Sequence, residues 1–224
     1  MATNNKKEEK LKQEEVAQSI SKTEEFYNQH KKTIWVAIIC VLVVGLGILG
    51  YAKFIYAPAA KEAQEAAFPA EINFQQGEFE LALKGDGNVL GFEDVIDQYG
   101  AKAGKAVYLY AGACNAQLGN WEDALTYLKK YNGKEPILAA RAKACEGDAY
   151  VALGDYEAAV RSYKAAVNAA DNVFAAGYLL KEGSALEALD RKADALACYK
   201  AIEDKYPQSL EAYEIAKNIA RVAE

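Results

Sequence analysis

The sequence predicts an all-α protein in which one apolar helix precedes a solenoid of helix pairs. Three observations predict this fold class. Residues 34–52 contain no charged side chain, and small residues recur further along the chain at intervals of 35 and 36 positions. The 224-residue chain also has only 4 prolines, while alanine, the best helix former, is frequent throughout.

The uncharged run predicts one transmembrane helix within residues 33–56. At about 1.5 Å per residue a helix over residues 34–52 is roughly 28 Å long, close to the ~30 Å hydrocarbon core of a bilayer. Residues 1–32 precede it as a charged cytosolic tail, expected to be solvated and partly helical, with a docking helix or a degradation signal as the alternatives. Lys22, Lys31 and Lys32 lie before the span, which favours a tail in the cytosol and a domain outside it.

The same run has two other interpretations. Residues 57–59 read Ala-Pro-Ala, as at a signal-peptide cleavage site, but the apolar run exceeds the 7–15 residues typical of a signal peptide, so a retained anchor is favoured. Residues 45–50 match the dinucleotide-binding pattern GxGxxG, which requires a strand-turn-helix context that is missing here. Gly47 and Gly50 are instead predicted to form a contact face for a second membrane helix, with passive tolerance of glycine as the alternative.

Residues 57–104 are predicted to form a divergent first repeat. Gly85, Gly87 and Gly91 lie close together, but no Gly-Lys-Ser/Thr ending follows them. We therefore expect a loop between two helices and not a phosphate-binding loop.

Residues 105–208 contain three copies of one pattern. Gly112, Gly147 and Gly183 recur with the same spacing as Ala124, Ala159 and Ala195. A small residue at each position is expected where two antiparallel helices cross closely, with larger residues filling the wider gaps. The larger residues are Trp121, Leu128, Tyr156, Tyr163 and Tyr199.

The turn inside each pair also has a pattern. Gly119 and Gly154 suit a left-handed turn, after which Asn120 and Asp155 are expected to cap the second helix. In the third copy Asp190-Arg191 takes these places, so that turn is expected to be less well formed.

These residues resemble the tetratricopeptide repeat family, strongly over about 105–207 and weakly over 58–99. The resemblance implies an α-solenoid of three repeats over residues 105–208, with a capping helix over residues 209–224. Apolar residues of that helix are expected to cover the last repeat. They are Leu210, Tyr213, Ile215, Ala216, Ile219 and Val222.

The resemblance also implies a peptide-binding groove, because the first helix of each pair lines the concave side in this family. The family's clamp for a C-terminal carboxylate uses Lys and Asn where this chain has Leu109 and Ala113, so that form of binding is not expected. Carrying the groove positions over gives nine residues, which are equally compatible with merely solvated or packed positions. They are Leu109, Ala113, Gln117, Arg141, Asp148, Val151, Leu180, Ser184 and Glu187.

Composition and charge narrow the function classes. The net charge is −6 and no basic stripe is visible, so nucleic acid is not an expected partner. The single histidine, His30, lies before the span, so histidine-based catalysis in the domain is excluded and no enzyme is expected. Cys114, Cys145 and Cys198 are an odd set without metal-ligand spacing, which predicts buried thiols, or one regulatory pair, and neither metal nor cofactor.

The order of tail, span and repeat domain, with Gly-Phe-Glu-Asp-Val-Ile at 91–96 and then Tyr99, resembles the single-span ancillary subunits of the bacterial Sec translocon. That resemblance implies an export factor in the inner membrane with a periplasmic repeat domain. Its expected partners are translocon subunits, chaperones or exported chains, with self-association as a further expectation. The alternatives are a structural scaffold for envelope assembly or cell division and a mitochondrial receptor of similar layout.

Overall fold

A computed structural model describes the backbone of residues 2–223 and the side chains of residues 27–223. Within residues 2–223 the regular structure is helical, apart from one isolated bridge between Gly85 and Leu90. A π-helical turn at Ala52–Tyr56 and 3₁₀ turns at Gly100–Ala103 and Glu211–Tyr213 accompany the α-helices. The α-helices are α1 (Ala2–Tyr51), α2 (Ala57–Gln75), α3 (Phe79–Lys84), α4 (Phe92–Tyr99), α5 (Ala106–Gln117), α6 (Trp121–Leu128), α7 (Pro136–Ala152), α8 (Tyr156–Ala169), α9 (Ala175–Ala188), α10 (Lys192–Lys205) and α11 (Ile215–Ala223).

The chain divides into two compact units, Met1–Pro58 and Ala59–Glu224. In the first unit α1 contains the tail as well as most of the apolar run, so the tail is helical from Ala2 onward. The suggested docking role of the tail depends on side chains that precede residue 27 and lie outside the described part.

The described residues contain one helical segment long and apolar enough to cross a membrane, Tyr27–Gln75, with a mean hydropathy of 2.7 over its most apolar window. None of that window is buried within the protein. Length and composition alone support a span, and a signal sequence near an N-terminus has the same properties. Gly45, Gly47 and Gly50 all lie inside α1, so the GxGxxG match forms no turn.

The second unit consists of helices that pack on their neighbours along the chain, and glycines mark their closest crossings. A Cβ built on Gly147 would lie 2.5 Å from Cε1 of Tyr163, and one on Gly183 would lie 2.3 Å from Cε1 of Tyr199. Leu128 occupies the same place opposite Gly112. The predicted close crossings at the glycines are confirmed. The expectation that Leu128, Tyr163 and Tyr199 fill wider gaps is wrong, because each side chain lies directly against the glycine of the first helix.

The turns within the pairs follow one geometry in all three repeats. Gly119 and Gly154 have φ of 81° and 79°, and Asp190 adopts the same left-handed conformation with φ of 58°. Arg191 N donates to Leu186 O at 2.9 Å, as Asp155 N does to Tyr150 O. The expectation of a poorer third turn is wrong, since an aspartate tolerates the left-handed region better than most residues.

The two predicted caps differ. Asp155 Oδ1 accepts a hydrogen bond from Ala158 N at 3.0 Å, which confirms the cap on α8. Asn120 makes no such bond to α6, and its Nδ2 donates instead to Asn115 Oδ1 at 3.3 Å. The prediction for Asn120 is wrong because the buried Asn115 competes for its side chain.

The divergent N-terminal part has its own core around Phe92 and Val95, both fully buried. Its glycine-rich segment is a loop between α3 and α4, as predicted, in which Asp86 Oδ1 accepts hydrogen bonds from Asn88 N at 2.9 Å and Val89 N at 3.0 Å. Gly91 lies against the Leu83 carbonyl so closely that a Cβ would be 2.3 Å from its oxygen. The loop is therefore closed on itself by backbone packing.

The C-terminal cap is shorter than predicted. Ser209 Oγ accepts a hydrogen bond from Ala212 N at 3.2 Å and starts a 3₁₀ turn, so α11 begins only at Ile215. Leu210 and Tyr213 are 84% and 77% exposed. Their predicted packing on the last repeat is wrong, as is that of the exposed Ala216, whereas Ile215, Ile219 and Val222 do cover it.

The three domain cysteines are free thiols. Cys114 and Cys198 are buried, as predicted, and burial raises the pKa of each to about 12. Cys145 is half-buried, and burial also raises the pKa of its thiol. All three are therefore protonated at neutral pH and poor nucleophiles.

Candidate functional site

A cavity of about 750 Å³ opens between the end of α2, the start of α3, α5 and α7. Because α5 and α7 are the first helices of consecutive repeats, the cavity lies at the junction of those repeats. Its lining combines aromatic, small and charged side chains. The lining residues are Phe74, Gln75, Phe79, Ala113, Ala116, Gln117, Leu118, Gly119, Trp121, Arg141, Cys145 and Asp148.

The aromatic wall of this cavity consists of Phe74, Phe79 and Trp121. The core of the divergent N-terminal part holds the two phenylalanines in place. Phe74 packs edge-on against Phe79 at a centroid distance of 5.7 Å and lies 5.2 Å from the ring of Tyr110. Tyr110 stacks on the buried Phe92 at 5.4 Å. Since Phe74 and Phe79 are held by ring contacts, this part of the wall is preorganised for an apolar side chain.

The charged groups of the cavity are not equivalent. Asp148 accepts hydrogen bonds from Lys181 Nζ at 2.7 and 2.8 Å and from the Tyr163 hydroxyl at 2.8 Å. Arg141 is exposed, and no carboxylate of residues 27–223 lies within ion-pair distance of it. The cavity therefore carries one positive charge that the described residues leave uncompensated.

The repeat register explains why the cavity forms at this junction. At the next junction, between α7 and α9, the Asp148 to Lys181 ion pair spans the surface. Asp148 follows Gly147 directly and Lys181 precedes Gly183 by two positions, and the residues with the same relation to Gly112 and Gly147 are Ala113 and Cys145. Two short side chains thus replace a bridging pair, and the space that the pair would fill remains open.

Four of the nine predicted groove residues lie together in this cavity: Ala113, Gln117, Arg141 and Asp148. Leu109 does not, because it is only 4% exposed and packs with Leu128 and Ala142 in the core. Its prediction as a groove residue is contradicted, since the N-terminal turn of α5 is covered by neighbouring helices.

The remaining four residues lie along α7 and α9, away from the cavity. Val151 is half-buried against the C-terminal core, and Leu180 lines a smaller cleft with Leu210 and Ile215. Ser184 is exposed and donates to the Leu180 carbonyl at 3.0 Å. Glu187 binds Arg221 of α11, so a structural contact already engages its carboxylate.

Sequence reasoning missed the contribution of the divergent repeat to the cavity. Phe74 and Phe79 flank Gly77 in the segment NFQQGEF, and Trp121 begins α6. The sequence signal that could have indicated the cavity is the presence of three aromatic residues, Phe74, Phe79 and Trp121, close to helix ends. The Gly and Ala spacing that identified the other repeats does not extend to this segment.

The described residues contain no group of three or more His, Cys, Asp or Glu side chains placed to hold a metal ion. What the cavity offers is an apolar wall, an exposed amide at Gln117 and a guanidinium. This combination suits recognition of a polypeptide.

Residues 106–136 and 178–209 match the family model of the tetratricopeptide repeat. No curated protein sequence matches the chain. Among solved structures the chain is similar to the crystal structure of MamA protein, with a TM-score of 0.53 and 17% identity over 74% of this chain and 86% of that chain. At this identity the likeness concerns the fold, and tetratricopeptide repeats of this kind are typically scaffolds for protein interaction.

Proposed function

We propose that this chain, whose repeats are tetratricopeptide repeats, is a protein-protein interaction module that binds a partner polypeptide in the cavity between α2, α5 and α7. One observation carries the proposal. The cavity combines aromatic side chains of α2, α3 and α6 with Arg141 of α7, which has no carboxylate partner among residues 27–223. Aromatic residues and arginine are the side chains most enriched at energetically important protein contacts.

The proposal extends to location. The exposed apolar run in Tyr27–Gln75 supports a membrane tether, and the lysines at 22, 31 and 32 support a cytosolic tail. We propose an inner-membrane protein whose repeat domain faces the periplasm. There it would assist protein export by contacting translocon subunits, chaperones or exported chains.

Site-specific photo-crosslinking in cells tests the role of the cavity. A photoreactive phenylalanine analogue at Gln117 should yield adducts with a translocon or chaperone subunit, while the same analogue at the exposed Lys200 of α10 should not. The double variant Ala113→Asp/Cys145→Lys would copy the bridging pair of the next junction into the cavity, and it should remove the adducts at Gln117. Equal adducts at both positions, or adducts only with unrelated proteins, would contradict the proposal.

A structural scaffold for envelope assembly is the second candidate function. It is favoured by the exposed Leu210 and Tyr213, which lie outside the cavity. If the double variant that fills the cavity retains every membrane partner in mild-detergent co-purification, while Leu210→Ser/Tyr213→Ser loses them, the scaffold reading replaces the first one.

Topology and the span need separate experiments. In sealed cells the domain should resist an external protease until the outer membrane is opened, whereas a mitochondrial receptor would expose its domain to the cytosol. Gly47 and Gly50 have no neighbouring atom within 4 Å of a built Cβ, so a partner helix could approach them. If Gly47→Leu/Gly50→Leu leaves all membrane partners attached, the span is only a tether.

A further inference from the structure

We infer that the cavity between α2, α5 and α7 recognises an internal polypeptide segment in which a large apolar side chain lies within a few residues of an aspartate or glutamate. This inference rests on the proposed interaction function and specifies its ligand. It is carried by the presence of Arg141 and of the aromatic side chains Phe74, Phe79 and Trp121 in one cavity.

The apolar half of the site is rigid and incompletely filled. Phe74, Phe79 and Trp121 are each half-buried, so part of every ring faces the cavity. The contacts of Phe74 with Phe79 and Tyr110 hold the wall without a ligand. An entering side chain would therefore bury apolar surface without an entropic cost for ordering these rings.

The polar half of the site selects charge. Lys181 and Tyr163 already satisfy Asp148, whereas Arg141 has no carboxylate partner among residues 27–223. Arg141 interacts with the half-buried Cys145, and burial raises the pKa of that thiol and keeps it neutral. A positive site on a chain of net charge −6 attracts an acidic group while the rest of the surface repels it.

The carboxylate is assigned to a side chain and not to a chain end. Arg141 is a single exposed guanidinium, which pairs with any carboxylate that reaches it. The positions where this family's clamp holds a chain end carry Leu109, which is buried, and Ala113, which has no donor. Although the amides of Gln75 and Gln117 line the cavity, neither Leu109 nor Ala113 supplies the Lys and Asn side chains with which that clamp fixes a terminal carboxylate.

Peptide selection against the full chain in detergent tests this inference. Two random libraries are used, one with the random stretch flanked on both sides by a fixed Gly-Ser linker and one with a free C-terminus. The wild-type chain should enrich aromatic or large aliphatic residues close to Asp or Glu in the flanked library. A synthetic peptide of the selected sequence should bind Arg141→Glu about tenfold or more weakly in fluorescence anisotropy, as expected for loss of a charge-assisted hydrogen bond.

The charge swap makes the test specific. Selection against Arg141→Glu should replace the acidic preference by Lys or Arg. Arg161→Glu changes the net charge equally at an exposed position of α8, outside the cavity, and should retain the wild-type preference. Matching thermal melts of both variants would show that neither change acts through unfolding.

Three results would overturn the inference. They are no enrichment by the wild type, the same preference in Arg141→Glu as in the wild type, and acidic enrichment only at a free C-terminus. If crosslinking through Gln117 captures an export partner while any of these results is obtained, the proposed function stands and the acidic specificity falls. If crosslinking through Gln117 fails while the charge swap succeeds, the cavity has the stated ligand and the export role falls.

Discussion

At the scale of single residues, Asp190 shows how a repeat accepts a substitution that the sequence pattern marks as unfavourable. Its φ of 58° is the only positive value at a non-glycine position among residues 2–223. The hydrogen bonds of the turn are nevertheless those of the two glycine-containing turns. The strain is therefore confined to the backbone of Asp190, and it does not spread to the helices on either side.

Asp190→Gly should stabilise the protein by roughly 1 kcal/mol, because glycine adopts the left-handed conformation without steric cost. The midpoint of urea unfolding should rise without a change in slope. The reciprocal change Gly154→Asp should lower stability by a similar amount. An unchanged midpoint for both variants would mean that the turns relax.

Glu182 is a second residue that lowers the stability of the folded protein, because its carboxyl is buried. It is 8% exposed, and burial raises the pKa of its carboxyl, although Lys164 and a hydrogen bond with Cys198 act in the opposite direction. A carboxyl whose pKa is raised on folding destabilises the protein above that pKa and ceases to do so once it is protonated.

Glu182→Gln should therefore raise the melting temperature at pH 7. It should leave the melting temperature unchanged near pH 3, where the carboxyl of Glu182 is protonated in both the folded and the unfolded protein. Cys198 can still donate to the amide oxygen, so the hydrogen bond is retained. The exposed Glu203→Gln on α10 should change neither value. A gain of equal size at both pH values would exclude charge burial as the cause.

At the scale of helices, polar contacts join residues that are about one repeat apart. Tyr127 donates to Glu93 at 3.1 Å across 34 positions, Lys181 to Asp148 across 33, and Arg191 lies 3.5 Å from Glu157 across 34. Each contact links a helix or turn to its counterpart in the next unit. Such contacts fix the register between units, which apolar packing alone defines less sharply.

A further contact across 34 positions, between Arg221 and Glu187, secures the C-terminal cap. Arg221 Nε donates to Glu187 Oε2 at 2.8 Å and Arg221 Nη2 to Glu187 Oε1 at 2.7 Å, so the pair is bidentate. The hydrogen bond from Arg221 is the largest cause of a lowered pKa at Glu187. The stabilisation it provides is thus present above the ordinary carboxyl pKa and is lost as the pH falls through the lowered value.

Arg221→Ala should increase amide hydrogen exchange in α11 at neutral pH while α5 stays protected, at a cost of up to about 1 kcal/mol because the pair is partly exposed. Lys217→Ala, on the same helix and exposed, should leave exchange in α11 unchanged. Acid below the lowered pKa of Glu187 should reproduce the effect in the wild type but add nothing to Arg221→Ala.

At the scale of the whole repeat domain, the buried residues form separate clusters along the chain. One contains residues of α2 to α5, including Phe92, and another contains residues of α8 to α11, including Tyr199. Because each repeat contacts mainly its neighbours, stability is expected to be distributed along the domain.

Tyr199→Ala should cost about 3–5 kcal/mol, since a fully buried aromatic ring is removed. Hydrogen exchange in α9 to α11 should then rise well before exchange in α2 to α5. Tyr199→Phe removes only the hydroxyl that donates to Glu187 and should cost about 1 kcal/mol. Simultaneous loss of protection in both clusters would show a single cooperative unit.

The sequence was sufficient for the helix pairs because a close crossing demands a small residue, and Gly112, Gly147 and Gly183 display that demand directly. The sequence was insufficient to predict the cavity, because the position of the cavity depends on two small residues. Nothing within a single repeat explains why these two residues are small. Ala113 and Cys145 acquire meaning only beside Asp148 and Lys181 in three dimensions. Leu109 shows the converse, since its position on the expected face does not reveal that other helices cover it.

The ion pair between Asp148 and Lys181 also bears on how many ligands such a scaffold could hold. Replacing the pair by the short residues of the preceding junction, as in Asp148→Ala/Lys181→Cys, would leave a gap between α7 and α9. A chain altered in this way would have two adjacent cavities and could grip two stretches of one extended polypeptide. The pair of side chains at a junction therefore decides whether a gap is open there, while the ligand that the gap accepts depends on its lining, and Gly177 stands at the second junction where Arg141 stands at the first.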